Sequence, residues 1–196
     1  IDRGTLFGAT VGARRTIPAD VASGWGAGVT LDGGRLDGED ATWDFVRPVV
    51  DAQWVRRWAP RDALLEVEGG AGTAWGDLPR QKLFLLGGRG TVPGYDFRSF
   101  GGDRFALARA TLSADLAAPW LRGRLLGAVG WTDVGAAGDH ALAAWPGRTT
   151  DGGRASLGAG LGIFYDIVRV DLARGLGRDG RWELVVETRP TFWDFL

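Results

Sequence analysis

Residues 154–163 read RASLGAGLGI, and parity divides them into Ala155, Leu157, Ala159, Leu161 and Ile163 against Arg154, Ser156, Gly158, Gly160 and Gly162. Successive side chains of an extended chain point to opposite faces, so this stretch is a strand with one apolar and one polar face. The same division recurs in both directions. Val168, Val170 and Leu172 oppose Arg169 and Asp171; Trp182, Leu184 and Val186 oppose Arg181, Glu183, Glu187 and Arg189; Leu65, Val67 and Ala71 oppose Glu66, Glu68, Gly70 and Gly72. The segment near 121–133 resists division, being mostly apolar or glycine on both faces. No long window carries helical spacing, so the chain reads as all-β. Nine strands are expected, near residues 4–14, 22–32, 43–58, 62–75, 103–116, 121–133, 153–163, 167–174 and 181–190.

Alternation alone does not say which face meets water, because a soluble sandwich buries its apolar face. Three features favour an antiparallel transmembrane β-barrel with the apolar face outward. The strands approach or exceed the roughly 9 to 11 residues of a tilted membrane strand, where soluble strands average about five or six. Trp43, Trp58, Trp75, Trp120 and Trp182 fall at or near strand ends, where an interfacial girdle would place them. The polar faces mix Arg with Asp and Glu, as a wet lumen would.

Connection lengths also alternate. Residues 59–61, 117–120 and 164–166 are short, while 33–42, 76–102 and 134–152 are long and rich in Gly and Asp. Outer-membrane barrels pair short periplasmic turns with long external loops in this way. The connection at 175–180 falls on the expected side, and that at 15–21 is longer than a periplasmic turn needs. Counting back from a last strand that ends in the periplasm, nine strands put Ile1 outside the cell. A chain entering from the periplasm needs an even count, so the expectation is a barrel fragment lacking its first strands. No apolar run reaches the length of a transmembrane helix, and no signal peptide is visible.

Composition narrows the function classes. The 196 residues include 33 Gly, 10 Trp, no Cys and no Met, with Lys82 the single lysine against 22 Arg. A net charge of −1 argues against nucleic acid as partner. Without Cys there is no disulfide framework and no thiolate metal site. His140, the one histidine, stands beside Asp139, with Asp151 further on, and no serine arrangement specifies a triad. Asp37, Glu39 and Asp40 match no complete calcium loop. Neither an enzyme nor a cofactor is expected.

The segment Gly87, Gly88, Arg89, Gly90, Thr91, Val92, Pro93, Gly94, Tyr95, followed by Phe100, Gly101, Gly102 and Asp103, resembles the lid-loop signature of the bacterial surface antigen family, the BamA/TamA superfamily of outer-membrane β-barrels. Trp131, Thr132, Asp133, Val134 and Gly135 resemble that family's aromatic-x-Asp-x-Gly strand end. Arg154 to Gly162 and then Val168 to Ala173 resemble its next two strands. The resemblance covers about residues 62–196 and lies in the order of the motifs. It implies that the nine strands are the C-terminal part of a sixteen-stranded barrel, five of them following the lid loop.

The chain departs from the family where an Arg is expected before Gly94 and Pro93 stands instead. In the family that Arg folds into the lumen and pairs with acids on the next two strands, which by position are Asp115 and Asp133 here. Either Arg89 or Arg98 replaces the lost cation, or the lumen is wet and the acids need no partner. The implied function is insertion, assembly or translocation of client outer-membrane or secreted proteins, in the lipid bilayer of a Gram-negative outer membrane. Two alternatives stay open: a membrane anchor for an upstream catalytic domain such as a patatin-like lipase, and a simple pore or adhesin.

Overall fold

The structure, a computed structural model, describes residues 4–16, 22–38, 42–59, 61–117, 120–135, 152–164 and 166–188. His140, Asp139, Asp151, Glu39, Asp40 and the end of the chain from residue 189 lie outside the described residues. The chain is all-β and antiparallel, with twelve strands and one short 3-10 turn, Arg80–Lys82, among the described residues. The strands are β1 (Gly4–Arg15), β2 (Ser23–Gly38), β3 (Thr42–Trp58), β4 (Ala63–Thr73), β5 (Trp75–Gly76), β6 (Phe84–Leu86), β7 (Phe100–Gly102), β8 (Arg104–Ala117), β9 (Leu121–Asp133), β10 (Gly152–Ile163), β11 (Val168–Gly175) and β12 (Trp182–Thr188).

The count is twelve and not the expected nine because the connection at 76–102 is itself structured. Beside it β5 pairs with β3, and within it β6 and β7 form a separate two-stranded sheet. The long strands follow the order β1-β2-β3-β4-β8-β9-β10-β11-β12, each paired with its neighbour. This sheet is open: β1 and β12 are its edges, so the described residues form no closed sixteen-stranded barrel. It nevertheless curls. A single cavity is lined by Gln53 on β3 and Glu187 on β12, which a flat sheet would hold roughly 29 Å apart at about 4.8 Å per strand.

The expected loop at 33–42 is also shorter than its composition suggested, since β2 runs to Gly38 and pairs with β3 through Asp37↔Thr42. Gly33 and Gly34 read as loop punctuation, yet at Gly34 a Cβ would lie 2.5 Å from the Phe7 carbonyl oxygen of β1. The glycines permit close backbone approach between extended strands; they do not break them.

The two faces of the sheet differ sharply. One exposes Val11, Val29, Val50, Leu112, Leu125, Val129, Leu157, Leu161, Leu172 and Leu184, each at least 41% accessible. The other carries most of the charges and holds the buried polar groups Ser113, Arg124, Thr132, Ser156 and Asp171. Trp75, Trp120 and Trp182 stand exposed at strand ends on the apolar face. Trp43 does not join them: it is 8% accessible and turned inward opposite Leu36 in the β2–β3 hairpin. Trp58 is half-buried beneath the Arg56 guanidinium, 5.3 Å from its ring.

Candidate functional site

Segment 77–102 leaves the top of β4, folds back and lies across the charged face of the sheet. What holds it there is apolar contact. Phe45, Ala74, Leu78, Leu83 and Phe84 form one buried cluster, and Leu86, Val92, Tyr95, Phe100 and Ala128 form a second. Phe105 packs against both, with its ring centroid 4.6 Å from that of Phe84. The dry core of this chain is therefore the interface between the loop and the wall, which explains the strand that parity could not divide. The inner side of β9 presents Ala128, Gly130 and Thr132 to the loop in its upper half, then Arg122 and Arg124 below it. Its outer side exposes Leu125, Val129 and Trp131.

The loop tip is fixed by backbone geometry more than by charge. Gly87, Gly88 and Gly94 have φ of +113°, +82° and +85°, a region that side chains bearing a Cβ adopt only under strain. The Gly87 N–H donates to Thr91 Oγ1 at 2.7 Å. Val92 is fully buried against Gly130, where a Cβ would come within 2.6 Å of Val92 Cγ2. Pro93 is buried and roofs the cavity below, and Gly90 O accepts from Arg109 Nη1 at 3.1 Å.

Gly94 and Tyr95 then dock on the last strands. The Gly94 N–H donates to Glu183 Oε2 at 2.6 Å, and the Arg181 N–H donates to Gly94 O at 2.8 Å. Tyr95 is 2% accessible; its hydroxyl donates to Ala155 O at 3.1 Å and accepts the Gly177 N–H at 2.9 Å. Asp96 forms an ion pair with Arg181. At the other end of the segment Lys82 Nζ lies 2.8 Å from Asp32 on β2. The loop thus straps the sheet from β2 to β12. Tyr95→Phe removes both hydroxyl bonds and leaves the Ala155 carbonyl and Gly177 amide without that partner. The expected loss is about 1–3 kcal/mol, read as faster hydrogen exchange at the Gly177 amide with β4 and β8 protection unchanged.

The remaining sequence candidates fall elsewhere. Arg89 reaches Glu187 on β12 at 4.0 Å, while Arg98 stacks on the exposed Phe97 ring at 4.9 Å. Asp115 and Asp133 are paired on the wall and not with the loop: Asp115 lies 3.6 Å from Arg122, and Asp133 lies 3.6 Å from Arg104. Position explains both. Asp115 sits at the far end of β8 from the loop, and Asp133 follows the inward Thr132 and so points outward. The acid that meets the loop tip is Glu183. It was visible in the sequence only as one member of a polar face, because the register that sets it beside Gly94 is long-range.

Beneath the loop lies a cavity of about 210 Å³ bordered by Glu66, Arg109, Arg124, Arg169, Asp171 and Glu187. Its charges are cross-linked. Arg124, 8% accessible, lies 3.1 Å from Asp171 on β11; Arg169 lies 2.6 Å from Asp166; Arg109 lies 2.9 Å from Glu68. The partly exposed Arg109–Glu68 pair contributes about 0–1 kcal/mol; Arg124–Asp171 is buried, where the desolvation of both ions offsets their attraction, so these pairs specify register more than they stabilise. Among the described residues no group of three acidic or histidine side chains gathers as a metal site. No family model and no curated protein matches the chain.

Proposed function

We propose that this chain is part of a β-barrel domain spanning the bacterial outer membrane, in a factor that inserts or exports other proteins and whose inward-folded lid is residues 87–95. The spanning part of the reading is supported by the reversed polarity of the faces. From Leu121 to Trp131 the outer side of β9 rises through ten residues, about 25 Å vertically at about 3.3 Å per residue and a tilt near 40°. That matches the roughly 25 Å apolar band of such barrels.

The observation that carries the function is where the lid tip docks. Gly94 is held by Glu183 and Arg181 at β12, an edge of the described sheet, and an unpaired edge is the surface to which an incoming strand adds. A lid bonded to that strand couples its own position to the state of the edge. The work needs no cofactor, since strand addition exchanges hydrogen bonds.

The test is topological and then functional. Single cysteines at 92, where Val92 is fully buried on the same loop, and at 178 are exposed to a membrane-impermeant maleimide in intact cells. Labelling at 178 with protection at 92 is expected; labelling at neither site until the outer membrane is opened would refute the orientation. Deletion of residues 87–95 should then abolish assembly of client barrels in cells depleted of the native protein. An unaffected activity would favour a simple pore or an anchor instead.

A further inference from the structure

Five arginines of the long strands point to the apolar side of the sheet: Arg15, Arg35, Arg56, Arg104 and Arg174. Two of them have carboxylate partners there, Arg35 with Asp44 at 2.7 Å and Arg104 with Asp133 at 3.6 Å. The other three, among the described residues, have none, and these are the ones that lie over tryptophan. The Arg15 guanidinium carbon is 4.3 Å from the Trp25 ring, that of Arg56 is 5.3 Å from Trp58, and that of Arg174 is 5.4 Å from Trp182.

Arg15 and Arg56 belong to one patch. In the β1–β2–β3 register Arg15 pairs with Ala27, Trp25 with Trp54, and Ser23 with Arg56. Trp25 therefore stands diagonally between the two arginines, with Trp54 beside it and Trp58 next along β3. The patch lies at the end of the sheet bearing the short turns, at the border of the apolar band. Trp25 is 54% accessible and Trp54 36%, so the aromatic platform is open. A guanidinium lying over a ring keeps its N–H groups free, and in a low-dielectric surround those donors need an anionic acceptor.

We infer that Arg15, Arg56, Trp25 and Trp54 form a binding site for the headgroup phosphate of an anionic glycerophospholipid. The inference rests on the spanning reading proposed above. It adds a ligand of defined chemistry at a defined place: phosphate oxygens accept from the Arg15 guanidinium over Trp25, the Arg56 charge beside Trp58 adds to the attraction, and the tryptophan rings pack against the glycerol and the first acyl carbons.

The test uses the full chain reconstituted into vesicles of phosphatidylcholine alone or an equal mixture with phosphatidylglycerol, then released into mild detergent for native mass spectrometry of retained lipid. The wild type should retain phosphatidylglycerol in preference to phosphatidylcholine. The double variant Arg15→Gln with Arg56→Gln should lower that preference by about fivefold for each arginine, and Arg35→Gln should leave it unchanged. Equal retention of the two lipids by the wild type, or a double variant that keeps the wild-type preference, would overturn the site while leaving the barrel intact. Failure to enter vesicles of either composition would overturn the spanning reading and this inference with it.

Discussion

Leu125→Arg is expected to lower the stability of the chain folded in a phospholipid bilayer by about 2–4 kcal/mol, the penalty that the proposed spanning arrangement sets for a cation facing lipid near the midplane. Leu125 lies mid-strand on β9, 59% accessible, opposite Leu112 on one side and Ala159 on the other. The same side chain is tolerated one residue away. Arg124 points to the other face, where Asp171 receives it at 3.1 Å. The contrast isolates the side of the sheet from every other variable, including helix and strand propensity. Folding into phosphatidylcholine vesicles, followed by urea titration of tryptophan fluorescence, measures it. On a water-facing sheet an exposed Leu→Arg exchange stays within about 0.5 kcal/mol, and that result would end the membrane reading.

Gly94→Val should undock the lid. The residue has φ +85°, and a Cβ there would lie 2.2 Å from the Gly175 amide nitrogen and 2.9 Å from the Arg181 carbonyl oxygen. These are backbone atoms of β11 and its turn, so no side chain rotates to make room. Strain at a positive φ and overlap with fixed backbone together amount to roughly 2–5 kcal/mol, more than the Glu183 bond to the Gly94 N–H contributes. The expected result is loss of hydrogen-exchange protection at Arg181 and Gly177, sensitivity of the 87–99 segment to added protease, and at least a tenfold fall in client assembly. Gly130→Ala approaches the same contact from the wall, pressing a methyl against Val92, and should loosen the lid less. Full protection in Gly94→Val would show that the loop position does not depend on this contact.

The strand pattern was legible from residues such as Leu157 to Ile163, because period-two alternation is a local property that survives whatever the strands later pair with. The glycines at 33 and 34 misled, since the sequence signal for a turn and for close strand approach is the same residue. Segment 121–133 could not be divided, because half of its inner face answers to a loop that lies across it and half to a charged cavity.

The all-β antiparallel class, the positions of the nine long strands, the gathering of most charge on one face and the location of the loop at 87–95 follow from the sequence by itself, since each depends on neighbours a few residues apart. Only the tertiary structure decided that Asp133 turns outward, that Asp115 sits beyond reach of the loop and that Glu183 receives the Gly94 N–H. Those outcomes depend on the register and curl of strands up to 89 residues apart. The Glu183 contact is fixed by packing Val92 and Tyr95 against β9 and β10, and the two aspartates by which face of the curled sheet the loop covers.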